Sequence, residues 1–169
     1  TEVEPDDPEI ADRFGRNELW WAANEGDLDT VRDLLSRGLD PNVTDLDGEA
    51  PLHAAARWDH AEIVAELLAH GADPNVKALY ETTPLHLAVR DQRVAATRLL
   101  LDHGADVNAV DAFGHAPLHD AALRHDTLSA RLLLEAGAEV DFPGSTGLSP
   151  LELAQQAGDP AMLELLTSR

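Results

Sequence analysis

Apolar residues recur along the chain with the 3.6-residue period of amphipathic helices. The segment "HAEIVAELLAH" at residues 60–70 places four aliphatic side chains on one helical face, at i, i+1, i+4 and i+5: Ile63, Val64, Leu67 and Leu68. An earlier segment, "PLHAAARW", opens with Pro51, which suits the first turn of a helix because its missing N–H would be unpaired there anyway. Gly71 stands where a left-handed cap would end the second helix. The pattern therefore predicts two short helices in succession.

This pair of helices is repeated every 33 residues. The motifs "APLHAAA", "TPLHLAV", "APLHDAA" and "SPLELAQ" keep that spacing, and so do "SRGLDPNV", "AHGADPNV", "DHGADVNA" and "EAGAEVDF". Neither helix buries enough apolar surface alone, so neighbouring units must stack. The sequence predicts an acidic, flexible segment at residues 1–11 and one domain at 12–169, with units at 12–44, 45–77, 78–110, 111–143 and 144–169.

The "DxxG–PLHxAA" openings, the "IVxELL" second helix and the "GADPN" and "GADVN" motifs resemble the ankyrin-repeat family. The resemblance implies an all-α repeat solenoid, an ankyrin-repeat stack of helix-turn-helix units with protruding hairpin loops. It further implies that the hairpin tips and the first helices form a concave binding groove. The first and last units depart from the pattern and are expected to be caps. In the last unit, "GDP" at residues 158–160 is expected to break the start of the second helix.

Some departures from the family pattern concern caps and turns. The family usually has a threonine before the proline, whose hydroxyl caps the first helix, and three units keep a residue able to do this: Asn17, Thr83 and Ser149. Ala50 and Ala116 cannot. The third unit also lacks the opening Asp and Gly, having Ala78 and Glu81, so we expect its hairpin to be distorted or shaped for a partner. The polar pairs of the "GADxN" motifs are expected to fix turns: Asp73, Asn75, Asp106 and Asn108.

Charge and composition narrow the classes of function. Formal net charge is −20, which repels nucleic acid and anionic membranes and favours a basic partner. There is no cysteine, so disulfides and thiolate chemistry are excluded. No apolar run approaches 18 residues, so no transmembrane helix is expected, and we predict a cytoplasmic protein. The acidic excess could equally serve salt adaptation, which stability rising strongly with molar salt would indicate.

The histidines are the main candidates for chemistry. His53, His86 and His119 recur one unit apart, about 10 Å from each other, which is far beyond the ~2.0–2.1 Å that a shared zinc ion requires. The resemblance assigns this slot to hydrogen bonds that link neighbouring units. A zinc pair of His115 and His119 is the alternative, and it would take His119 away from that role. Because no nucleophile–base pair, phosphate loop or HExxH motif is present, we predict no enzyme activity, no metal and no cofactor.

The aromatic residues point to a binding surface. Phe14, Tyr80 and Phe113 occupy the same hairpin-tip position in three units, and a stripe of exposed aromatic side chains is typical of a binding hot spot. The predicted partner-binding residues are Phe14, Trp21, Leu46, Arg57, Trp58, Leu79, Tyr80, Arg90, Phe113, His115, Asp120 and Arg124. Asp120 is interpreted as a surface contact. The alternative is that the rings fold back onto adjacent hairpins as local packing.

These observations predict a non-catalytic scaffold that binds a protein or peptide, basic in character, through the groove. The alternative is an inhibitor or immunity protein that masks a cationic active site or nucleic-acid-binding site of its partner. We expect the chain to be monomeric on its own, with no nucleic acid and no membrane among its partners.

Overall fold

The computed structural model describes residues 11–145 and 147–168. Within these ranges it has ten α-helices, two in each of the five units, and no strand. They are α1 (Glu18–Glu25), α2 (Leu28–Ser36), α3 (Pro51–Arg57), α4 (Ala61–Ala69), α5 (Pro84–Arg90), α6 (Val94–Asp102), α7 (Pro117–Leu123), α8 (Thr127–Glu135), α9 (Pro150–Ala157) and α10 (Pro160–Thr167). The predicted all-α repeat solenoid is confirmed. Apart from Ala11, the segment predicted at residues 1–11 lies outside the described residues.

The helices stack in two layers. The first helices of successive units contact each other from α1 through α3, α5 and α7 to α9, and the second helices do the same from α2 to α10. Alanine makes the close approach possible, since Ala54, Ala55 and Ala56 are fully buried in α3. Leucines such as Leu52 and Leu67 fill the space between the layers, and full burial of such a side chain contributes about 1.5–3 kcal/mol.

The caps of the first helices follow the sequence. The side chains of Asn17, Thr83 and Ser149 each accept a hydrogen bond from the main-chain N–H three residues on. Ala50 and Ala116 stand in the same slot and make no side-chain cap bond. The predicted difference between capped and uncapped units is therefore confirmed.

The last unit corrects one expectation. Residues 158–160 do not break the second helix: Gly158 ends α9 in the left-handed conformation, with φ 64°, and Asp159 caps α10 by accepting the N–H of Met162. Pro160 is the first residue of α10, where it needs no N–H. The prediction was wrong because these residues form a matched end and start of two helices, each eight residues long.

The turns after the second helices join neighbouring units. Asp73 accepts the main-chain N–H of Asn75 at 2.8 Å, which confirms its predicted role in the turn. The amide of Asn75 also reaches the next unit, donating to the carbonyl of Gly104 at 3.1 Å and accepting from the N–H of Asp106 at 2.7 Å. Asn42 and Asn108 repeat this arrangement. The sequence motif predicted the turn but not this ladder of asparagines.

Candidate partner-binding surface

The recurring histidines lie inside the stack and join one unit to the next. In His53, Nδ1 accepts the N–H of Ala50 at 3.1 Å, so Nε2 carries the proton and donates to the carbonyl of Thr82 at 3.1 Å. His86 makes the same contacts with Thr83 and, across the next boundary, with the carbonyl of His115 at 3.1 Å. Burial lowers the pKa of His53 to about 4, so its ring is neutral at pH 7.

His119 departs from this arrangement. Its Nδ1 accepts the N–H of Ala116 at 3.2 Å, but its buried Nε2 has no hydrogen-bond partner among the described residues, since the main chain around Phe142 does not meet it in hydrogen-bonding geometry. The ring of His115 stacks on it with the centroids 5.5 Å apart. Burial and the neighbouring His115 lower the pKa of His119. In the part of the chain that the structure describes, no group of three or more His, Asp or Glu side chains could hold a metal ion.

The apolar candidates lie where solvent reaches them. The hairpin tips carry an exposed set that we call the tip surface: Phe14, Leu46, Leu79, Tyr80 and Phe113. Leu46 is 78% exposed and Tyr80 57%, whereas the core leucines are almost fully buried. Trp21, on α1, and Trp58, directly after α3, are also exposed. All seven apolar and aromatic candidates of the sequence are thus available to a partner.

The hairpin tips are tied into a fixed register. The N–H of Leu46 donates to the carbonyl of Phe14 at 2.9 Å, that of Leu79 to Asp47 at 2.7 Å, and that of Ala112 to Tyr80 at 2.8 Å. Each bond joins one tip to the tip before it. The tip surface is therefore held by the main chain before any partner arrives, which lowers the entropy lost on binding.

The third tip has an unusual conformation. Residues Leu79–Glu81 form a 3-10 turn in which Tyr80 (φ 61°) and Glu81 (φ 59°) are both left-handed. Such conformations cost non-glycine residues on the order of 1–3 kcal/mol each and persist only where the surroundings hold them. Here the Lys77–Glu81 ion pair, at 2.8 Å, spans the turn. The distortion expected from the missing Asp and Gly is confirmed.

Local packing of the aromatic rings also occurs. The Tyr80 and Phe113 rings lie with centroids 5.4 Å apart at 34°, and both remain more than half exposed. At the first unit, the guanidinium of Arg16 lies 4.3 Å from the Trp20 ring, 5.2 Å from Phe14 and 5.8 Å from Trp21. Sequence reasoning missed Arg16, although a cation among three aromatic residues within five positions was the available signal.

The charged candidates are mostly engaged within the chain. Arg90 Nε donates to Asp120 at 2.9 Å, and the same guanidinium pairs with Asp111. Asp120 is only 6% exposed, so its interpretation as a surface contact is wrong: Arg90 reaches over from the preceding unit and covers it. Against the opposing effect of burial, the N–H of His115 and the guanidinium of Arg90 hold the pKa of Asp111 below its ordinary value.

The remaining polar candidates differ in how free they are. Arg57 pairs with Glu49 of its own unit. Arg124 is exposed, and His115 is half-buried against His119. The structure therefore brings together the tip surface and its flanking tryptophans but leaves Arg90 and Asp120 as links between units.

Comparison with known proteins supports the repeat assignment. A family model described as ankyrin repeats, in three copies, matches residues 19–111, and one described as ankyrin repeat matches residues 113–145. No curated protein matches the chain. Among the helices of the described residues, none is long and apolar enough to span a membrane.

Proposed function

The chain belongs to the ankyrin-repeat family, and from this premise we propose that it is a non-catalytic scaffold that binds a protein or peptide through the tip surface, Trp21 and Trp58. Ankyrin repeats are in general protein–protein interaction modules. The observation that supports this site is the exposure of seven large apolar side chains on the hairpin tips and first helices of a chain whose other leucines are mainly buried. Exposed apolar patches of this kind mark interaction sites.

The net charge of −20 adds a basic character to the proposed partner. It also favours a second candidate, an inhibitor that masks a cationic site of its partner. The two differ in kinetics, because binding steered by the whole acidic surface has association rates that fall steeply with salt. Stopped-flow association with the identified partner at 50 and 500 mM NaCl separates them: a rate nearly independent of salt contradicts the inhibitor.

The scaffold proposal is tested by a triple variant, Trp58→Ser, Tyr80→Ser and Phe113→Ser. Immobilised wild-type chain should capture a defined partner from a lysate of the source cells, and the triple variant should lose it. Leu128→Ser is the matched control, since Leu128 is an exposed apolar residue of α8, in the other helical layer. Capture that survives in the triple variant, or is lost equally in the control, contradicts the proposed site.

Monomeric state and cytoplasmic location remain predictions. Light scattering at micromolar concentration tests the first, and cell fractionation tests the second.

A further inference from the structure

The third residue of each hairpin tip forms a row with a specific order of side chains. In chain order the row reads Phe14, Asp47, Tyr80 and Phe113, so one carboxylate stands among three aromatic rings. The main-chain bond from Leu79 to the Asp47 carbonyl fixes that residue against the third tip. The side chain of Asp47 therefore lies beside the most exposed part of the tip surface, between Leu46 and Leu79.

Asp47 is also electrostatically distinct. Other charged groups at the tips are matched: Lys77 with Glu81, Arg16 with Asp45, and Arg57 with Glu49. Asp12 accepts the N–H groups of Phe14 and Arg16 and the indole N–H of Trp21. Asp47 is exposed, and its carboxylate accepts no hydrogen bond and forms no ion pair within the part of the chain that the structure describes.

We propose that the tip surface takes a linear segment in which one basic residue lies between apolar residues, with the base paired to Asp47 and the apolar residues on Tyr80, Phe113 and the leucines. This rests on the proposed function and specifies the partner. The supporting argument is charge complementarity: a carboxylate without a partner, enclosed by apolar groups, is best satisfied by a single cation carried on an apolar segment. A uniformly basic partner would gain little at the tips, where the remaining charges are already paired.

The dimensions set the expected spacing. Neighbouring units are separated by the helix-packing distance of roughly 8–10 Å, and an extended segment advances about 3.3 Å per residue. An apolar residue about three positions on either side of the base would then reach the adjacent tips.

A phage-displayed library of random 16-residue peptides, selected on the immobilised full chain, tests this directly. We expect enriched peptides to carry one Lys or Arg with apolar residues about three positions away. For a synthetic peptide from the selected set, Asp47→Asn should weaken binding about two- to five-fold, the range of an exposed ion pair. Tyr80→Ser with Phe113→Ser should weaken it by at least about tenfold. Asp33→Asn, which removes an exposed carboxylate from α2, is the matched control and should leave binding unchanged.

The outcomes distinguish this inference from the proposed function. Selected peptides that need Tyr80 and Phe113 but bind Asp47→Asn and wild type equally overturn the basic-residue inference and leave the binding site intact. Failure to select any peptide overturns the linear-segment inference, while a folded partner captured by the wild-type chain keeps the proposed function. Selected peptides that bind the Tyr80→Ser, Phe113→Ser variant at full strength contradict both.

Discussion

Two rows of residues share the 33-residue period of the chain and differ in almost everything else. The interior row is His53, His86 and His119, all fully buried, and the exterior row is the tip surface. The interior residues have the side chains of catalytic or metal sites, yet two of them donate to and accept from main-chain groups on both sides of a unit boundary. The exterior residues have the side chains of a core, yet solvent reaches them.

The comparison shows that residue type alone does not separate architecture from function in a repeat protein. A histidine whose two nitrogens both meet main-chain groups has no capacity left for a ligand. An aromatic ring on a tip whose main chain is already tied to its neighbour is not needed to close the fold. We therefore expect the interior row to carry stability and the exterior row to carry binding.

The largest effect is expected from the interior row itself. His86→Ala leaves the buried carbonyl of His115 and the N–H of Thr83 without this partner and opens a cavity, so the free energy of unfolding should fall by about 3–5 kcal/mol. His119→Ala should be milder by about 1–3 kcal/mol, because Nε2 of His119 has no partner to lose among the described residues. Urea unfolding measures both variants, and equal losses would remove the distinction between these positions.

Acid should weaken the interior row next. The folded-state pKa of His53 is about 4, below its ordinary value of 6.5, so the unfolded chain binds the proton more readily. The stabilisation is fully present above pH 6.5 and is lost as pH falls towards 4, by on the order of 3 kcal/mol for His53. His86 and His119 shift in the same direction because of burial. Unfolding free energies that stay constant between pH 7 and 4.5 would contradict this prediction.

A smaller loss is expected at the asparagine ladder, which is outside both rows. Asn75→Ala removes the bonds to Gly104 and Asp106 of the next unit and should cost about 1–2 kcal/mol. Asp141→Ala changes the equivalent position of the fourth unit, near the end of the stack, and should cost less than half as much. Thermal unfolding of the two variants compares them, and a larger loss at Asp141 would show that the bridge is unimportant.

The smallest stability change should be a gain. Ala116→Thr places a hydroxyl where Thr83 caps the equivalent helix, and it should add about 0.5–2 kcal/mol and raise the melting temperature. The same substitution at Ala50 repeats the test in the second unit. Unchanged or lower melting temperatures in both variants would mean that this slot does not act as a cap here.

The sequence predicted everything that depends on the period. Unit boundaries, capped and uncapped helices, the histidine slot and the distorted third tip follow from residues compared at equivalent positions. It did not predict the burial of Asp120, because that depends on how far the Arg90 side chain reaches from the preceding unit. The unpartnered Nε2 of His119 was likewise hidden, since its slot matches His53 and His86 in sequence and differs only in the main chain beside it.

The central claim is that the exterior row binds and does not stabilise. The most direct test measures the unfolding free energy and the affinity for the captured partner on one preparation of the Trp58→Ser, Tyr80→Ser, Phe113→Ser variant. We predict unfolding within about 0.5 kcal/mol of the wild type for each substituted residue, together with an affinity at least about tenfold lower. Retained affinity, or a loss of stability as large as that of His86→Ala, would contradict the claim.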